Sequence, residues 1–191
     1  MAMTVTTYKW TIDRYHQAVS AGVFDAQAVE LLRGEIIIMP PEGEPHACRG
    51  DMTVEYLREL LGQRAQIREG KPITIFNSAS EPEPDIAIVQ RLFWEYDEHH
   101  PYPENIFWLI ELSKTSLKKD LELKSEIYAE AGIQEYWVID LKAAKLIVFR
   151  DPMDGEYQSK QTFNTGNISP LAFADVVMSV DILLGKNRWT P

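Results

Sequence analysis

Asp85 opens the apolar run Asp85-Ile86-Ala87-Ile88-Val89 directly after Pro84, and Glu111 closes a second run, Ile106-Phe107-Trp108-Leu109-Ile110-Glu111. A carboxylate at the end of a buried strand carries a large desolvation cost unless a cation or hydrogen bonds compensate it. Two such carboxylates on neighbouring strands can chelate one hard divalent cation, with backbone carbonyls and water completing an oxygen shell suited to Mg2+ or Mn2+. Lys124, in the helical segment after Glu111, adds an ammonium that can orient a water or stabilise a pentavalent phosphate. That set suits phosphodiester hydrolysis. Taken singly, each residue also fits a structural part: Asp85 a strand-end cap, Glu111 a salt-bridge residue, Lys124 a solvated helix residue.

These residues need strands and a helix to position them. The two apolar runs read as central strands covered on both faces. Leu117 to Ala131 reads as a helix, with Leu117, Leu121, Tyr128 and Ala131 at helical spacing and Gly132 as the stop. Tyr136 to Asp140 and Lys145 to Phe149 follow as strands, so that Ile106 to Asp140 forms a βαβ crossover. Upstream, Thr11 caps a helix to Ala21 carrying Ile12, Tyr15 and Val19, and Val29 to Met39 forms a hairpin about Arg33-Gly34. A Pro-rich loop, 40–45, precedes a helix from His46 to Leu61, and Ala65 to Arg68 and Ile73 to Phe76 are short strands. A strand near Tyr157 to Phe163 and an apolar segment from Val176 to Leu184 end the pattern. The expected class is α/β (α+β), a mixed central sheet flanked by helices with an N-terminal hairpin.

At 191 residues and 45% hydrophobic content, the chain suits one domain over 1–191 with its core at about 10–185. The lone Cys48 excludes an internal disulfide and a zinc ribbon, and reads as a small buried residue. No run is long and apolar enough to span a membrane, and Met1 to Trp10 lacks the pattern of a signal peptide, so a cytoplasmic location with no membrane partner is expected. The net charge of −10 works against tight unaided binding to DNA, although a local basic strip or a metal held by carboxylates is compatible with it.

Longer stretches carry a resemblance. Glu30-Leu31-Leu32-Arg33-Gly34-Glu35 with the following Pro-rich loop and His46, Glu83-Pro84-Asp85-Ile86-Ala87-Ile88-Val89, Ile110-Glu111-Leu112-Ser113, Asp120 with Lys124, and Tyr128 to Asp140 together resemble the Uma2 family of the PD-(D/E)XK nuclease superfamily. The resemblance implies a restriction-endonuclease-like fold, Asp85 and Glu111 as ligands of Mg2+ or Mn2+, and DNA as the substrate of an endonuclease. Ser113 stands where the superfamily usually places a lysine, two residues after the glutamate. The family's lysine has moved to the following helix, which matches Lys124; Lys114 would point to the opposite strand face and ranks second. Glu30 and Glu35 both lie near the family's additional acidic position, and only one need face the site. His46 is placed to contact a phosphate or the hydrated metal, and Asp120 is a further candidate. Arg33 departs from the acidic residue more usual at that turn, whereas the block from Tyr128 to Asp140 reads as structural.

Three readings follow: a Mg2+-dependent endodeoxyribonuclease, a binding or regulatory module that keeps the fold without turnover, and a metal-dependent hydrolase of small phosphate esters. A homodimer would suit cleavage of both DNA strands, with Val176 to Leu184 serving either the core or such an interface.

Overall fold

The computed structural model describes residues 6–187, so the extreme ends of the expected 1–191 domain lie outside it. Helix α1 (Ile12–Ser20) is capped by Thr11, whose hydroxyl accepts from the Arg14 N–H, and it buries Ile12, Tyr15 and Ala18. Val19, expected on the buried face, is exposed. Strands β1 (Val29–Leu32) and β2 (Glu35–Ile38) pair antiparallel about Arg33-Gly34. Both turn residues have positive φ, 50° and 73°, the conformation a two-residue hairpin turn needs. Arg33 tolerates it because its N–H donates to Ser80 Oγ and its guanidinium pairs with Glu130, tying the turn to the body of the protein.

Helix α2 (Glu44–Leu61) starts two residues before the expected His46, because Gly43 takes the cap position and Pro45 fits the first turn. Cys48 lies on the exposed side of α2, correcting the buried reading. Strands β3 (Gln66–Glu69), β4 (Ile86–Val89), β5 (Ile106–Ser113), β6 (Glu135–Asp140), β7 (Lys145–Met153) and β8 (Glu156–Phe163) form one sheet in that order. Only β5 and β6 are parallel; the other neighbours are antiparallel. The segment Ile73 to Phe76 is not a strand of this sheet. Ile73 and Ile75 are fully buried, but the backbone forms an isolated bridge, Ile75 with Ser80, and donates from Ile73 and Thr74 to the carbonyls of Pro82 and Pro101 rather than joining a ladder.

The expected helix across the crossover is present in three pieces: α3 (Leu117–Lys119), a π-helical turn over Asp120–Lys124, and α4 (Ser125–Glu130). Gly132, with φ of 76°, ends it. One sheet face packs Ile86, Ile88, Trp108, Ile110 and Trp137 against Val54, Leu57 and Leu61 of α2. Val176, Met178, Val180 and Leu183 join the same core, so the C-terminal apolar segment fills the interior; β9 (Asn167–Ile168), β10 (Met178–Ser179) and α5 (Val180–Leu183) hold it there. The opposite face packs Ala87, Leu109, Tyr136 and Val138 against Ile127 and Tyr128 of α4. Alternation along β4 and β5 puts Asp85, Glu111 and Ser113 on this second face, under the crossover helix.

The block before β6 has a structural cause. Glu135 is fully buried and accepts from Trp137 Nε1 at 2.8 Å, from the Arg150 guanidinium at 2.6 and 2.8 Å and from the Leu171 N–H at 2.6 Å. It fastens β6, β7 and the C-terminal segment together.

Candidate active site

A cleft of about 610 Å³ opens where β4 begins and β5 ends, lined among others by Glu42, His46, Glu83, Asp85, Glu111, Lys119, Asp120 and Lys124. The β4–β5 register pairs Ile86 with Ile110, which carries Asp85 opposite Glu111 one step further on. Residues opposite each other in an antiparallel pair share a face, so two acidic side chains meet at one spot. The Leu112 N–H donates to Asp85 Oδ2 at 2.6 Å, and His46 Nε2 lies 3.2 Å from the same oxygen.

Lys124 comes down from the crossover helix. It is 2% exposed, 2.8 Å from Glu111 Oε1 and 3.1 Å from Glu30 Oε2, and it also donates to the Glu83 carbonyl at 3.4 Å. Tyr128 OH donates to Glu111 Oε1 at 3.2 Å. Glu30, 1% exposed, also binds Lys119 Nζ at 2.5 Å and accepts from the Glu83 N–H at 3.2 Å. Two lysines five residues apart therefore converge on one carboxylate. The π turn is the reason, since its i→i+5 hydrogen bonding aligns residues of that spacing, and such turns recur at functional sites. Asp120, 1% exposed, takes hydrogen bonds on Oδ2 from Ser113 Oγ at 2.7 Å and Ser116 Oγ at 2.6 Å, while Oδ1 is buried without a partner.

Burial pushes the Lys124 ammonium toward losing its proton, but Glu111, Glu30 and Asp120 outweigh it and hold its pKa well above the ordinary lysine value. Burial raises Glu30 too, yet Lys124 and then Lys119 overcome it and leave the carboxyl below its usual range. Glu111 goes the other way: burial, joined by the charges of Asp85 and Asp120, exceeds the pull of Lys124 and raises it well above an ordinary glutamate. The hydrogen bond to Asp85 is the main cause of a raised His46 pKa, against the opposing effect of burial. Lys124 and His46 are thus held charged by acidic neighbours, whereas Glu30 is held charged by its two lysines.

Of the sequence candidates, Asp85, Glu111, Lys124, Glu30, His46 and Asp120 come together in or directly behind this cleft. Glu35 does not; it is exposed at the turn and pairs with Lys9. Lys114 lines the cleft but makes no ion pair among the described residues. His99 donates through Nδ1 to the His100 carbonyl and stacks on Tyr102 at 4.3 Å, away from the cleft. Sequence reasoning missed Lys119, Glu42 and the part of Tyr128. Lys119 could have been found only by knowing of the π turn, and Glu42 is hidden among the breakers of its loop.

The profile of the Uma2 family, described as "Putative restriction endonuclease", matches residues 10–181. The chain belongs to the Uma2 family. Among solved structures, this Uma2 chain is similar to a "putative nuclease belonging to DUF820" from Anabaena variabilis ATCC 29413, with a TM-score of 0.68 and 18% identity. The alignment covers 92% of this chain and 97% of the other, so the two share the fold over nearly their full lengths. No curated protein matches the Uma2 chain significantly. Among its described residues no helix is long and apolar enough to cross a membrane.

The donor set of the Uma2 cleft fits a divalent cation. Carboxylates outnumber the ammoniums that face them, Glu111 is raised by burial and then by its acidic neighbours, and Asp120 keeps a buried oxygen unpaired. Carboxylate oxygens are the donors Mg2+ and Mn2+ prefer.

Proposed function

We propose that this chain is a divalent-metal-dependent endonuclease that hydrolyses DNA phosphodiester bonds, with Asp85 and Glu111 holding the cation and Lys124 acting beside them. The observation that carries the reading is the buried ionic chain Glu30–Lys124–Glu111 lying next to Asp85 in an open cleft. A buried ion pair is weak evidence for stability, because desolvation offsets most of its Coulombic gain. One whose members line a cleft is better explained by chemistry.

The bound cation supplies Lewis-acid charge at the phosphate and makes water more acidic. Asp85, braced by the Leu112 N–H, keeps its carboxylate turned into the cleft. Lys124, kept protonated by Glu111 and Glu30, presents positive charge where a phosphate becomes more negative in the transition state. Glu30 and Tyr128 position Lys124 and Glu111, while Lys114, Lys119, Thr115 and Ser116 line the side of the cleft where a DNA backbone would run. Lys114, which makes no ion pair among the described residues, is the ammonium there left to meet a phosphate, whereas Lys119 is held by Glu30.

Supercoiled plasmid incubated with the protein and Mg2+ or Mn2+ should be nicked or linearised, and EDTA should stop it. Cleavage of no DNA form, supercoiled, linear or single-stranded, would overturn the reading. The competing reading, a binding module without turnover, is favoured by the acidic balance of the chain and would bind DNA or a partner in that assay without cutting.

The hairpin supplies a cleaner contrast. Glu30→Gln leaves two lysines facing a neutral side chain and should cost about 3 kcal/mol of stability, a melting temperature lower by about 6–12 °C, with a large loss of cleavage. Glu35→Gln removes an exposed pair and should stay within about 0.5 kcal/mol of the parent with full activity. Equal losses in the two variants would remove Glu30 from the site.

A further inference from the structure

Glu42, His46 and Asp85 each offer a ligand atom, and these atoms all lie within 4.8 Å of one another. Opposite ligands of an octahedral ion at about 2.1 Å stand about 4.2 Å apart, so the three need close only slightly to share one cation. His46 Nε2 faces Asp85 Oδ2 at 3.2 Å, and His46 Nδ1 is buried 3.4 Å from Glu42 Oε2 without a hydrogen bond. A second observation points to the same cleft: Asp120, 1% exposed, lines it with an unpartnered Oδ1.

We infer that Glu42 and His46 join Asp85 as ligands, and that the imidazole makes this cleft select Mn2+ over Mg2+. The loop and helix carry the argument. Gly43 caps α2 and Pro45 sets its first turn, so Glu42, just outside the helix, and His46, just inside it, are fixed on either side of the cap. The partial positive charge of the α2 N-terminus opposes a cation there, but it amounts to about half a charge against the full charges of Glu42 and Asp85. Glu111 has one oxygen committed to Lys124 and Tyr128, and the Pro-rich loop and the start of α2 offer further ligand atoms to an ion on Asp85. Mg2+ holds its water and prefers oxygen, whereas imidazole suits first-row transition ions. A site of two carboxylates and one imidazole therefore favours Mn2+, which accepts both donor types.

The inference rests on the proposed function only in placing the cation at Asp85. Its test is equilibrium binding, free of DNA: Mn2+ followed by the loss of its aqueous EPR signal, and Mg2+ by competition, for the parent, His46→Gln and Glu42→Gln. His46→Gln should weaken Mn2+ binding about tenfold or more while changing Mg2+ by less than about threefold, and Glu42→Gln should weaken both about tenfold. Glu42 is exposed, so its variant gives a result even if His46→Gln, checked by thermal unfolding in EDTA, does not fold. A parent that binds no Mn2+, a His46→Gln variant with the parent's ratio of Mn2+ to Mg2+ affinity, or a Glu42→Gln variant with the parent's affinities each overturns the inference. A protein that binds Mn2+ through His46 and Glu42 but cuts no DNA overturns the proposed function and leaves this site standing.

Discussion

Asp85→Asn should lower metal-dependent cleavage by about 10³-fold, corresponding to about 4 kcal/mol of lost transition-state stabilisation. The substitution is nearly isosteric, and the new amide oxygen can still accept from the Leu112 N–H that now binds Asp85 Oδ2 at 2.6 Å. Removing one charge from a cleft crowded with carboxylates offsets part of any weakened hydrogen bond. Stability in EDTA should therefore change by no more than about 1–2 kcal/mol. The sharper readout is linkage. Saturating the parent with Mn2+ at 100 times its dissociation constant should add about 2.7 kcal/mol to its stability, and the variant should show almost none of that gain. If Asp85→Asn cuts DNA at the parent's rate, Asp85 is not a ligand and the proposed site falls.

Lys124→Met should have the largest effect on the fold of any single change in the cleft. It leaves Glu111, 3% exposed, without the ammonium 2.8 Å away, while Glu30 keeps Lys119 alone, and an unpaired buried charge costs about 3–5 kcal/mol. For a chain of this size the melting temperature should fall by about 6–20 °C. Activity should vanish with it, so a single variant cannot tell chemistry from unfolding. Combining Lys124→Met with Glu111→Gln removes the stranded charge, leaves Glu30 on Lys119, and should return at least half of the lost stability. Cleavage should stay down by about 10²-fold or more, because the Lys124 ammonium and one proposed ligand of the metal are both missing. A double variant that recovers both stability and cleavage would reduce Lys124 to a structural residue.

The strands that carry Asp85 and Glu111 were legible because both are buried on two faces and read as continuous apolar runs. The crossover helix was legible from its period, but its π turn was not: one extra residue in a turn leaves Leu117 and Tyr128 at spacings a regular helix also permits. Lys119 stayed hidden for that reason. Glu30 and Glu35 could not be separated by alternation. Leu32 pairs with Glu35 and lies two residues after Glu30, so both acids share a face of the hairpin, and they differ because β1 lies against the segment at Glu81 while β2 is the outer strand. The apolar run Ile73 to Phe76 announced burial, which it has, but apolar character does not specify a pairing partner. Val19 and Cys48 failed similarly, since a helix face is set by what packs against it.

The hairpin has a bearing on how far this domain can be dissected. Glu30 arrives on β1, outside the six-stranded sheet, and reaches two lysines of the crossover helix, while Arg33 at the adjacent turn grips Glu130 near that helix's other end. The hairpin thus braces the crossover helix at both ends. A minimal fragment holding the sheet, the crossover helix and every residue of the Pro-Asp and Glu motifs would keep their spacing in sequence and lose the counter-charge that holds its lysines in place.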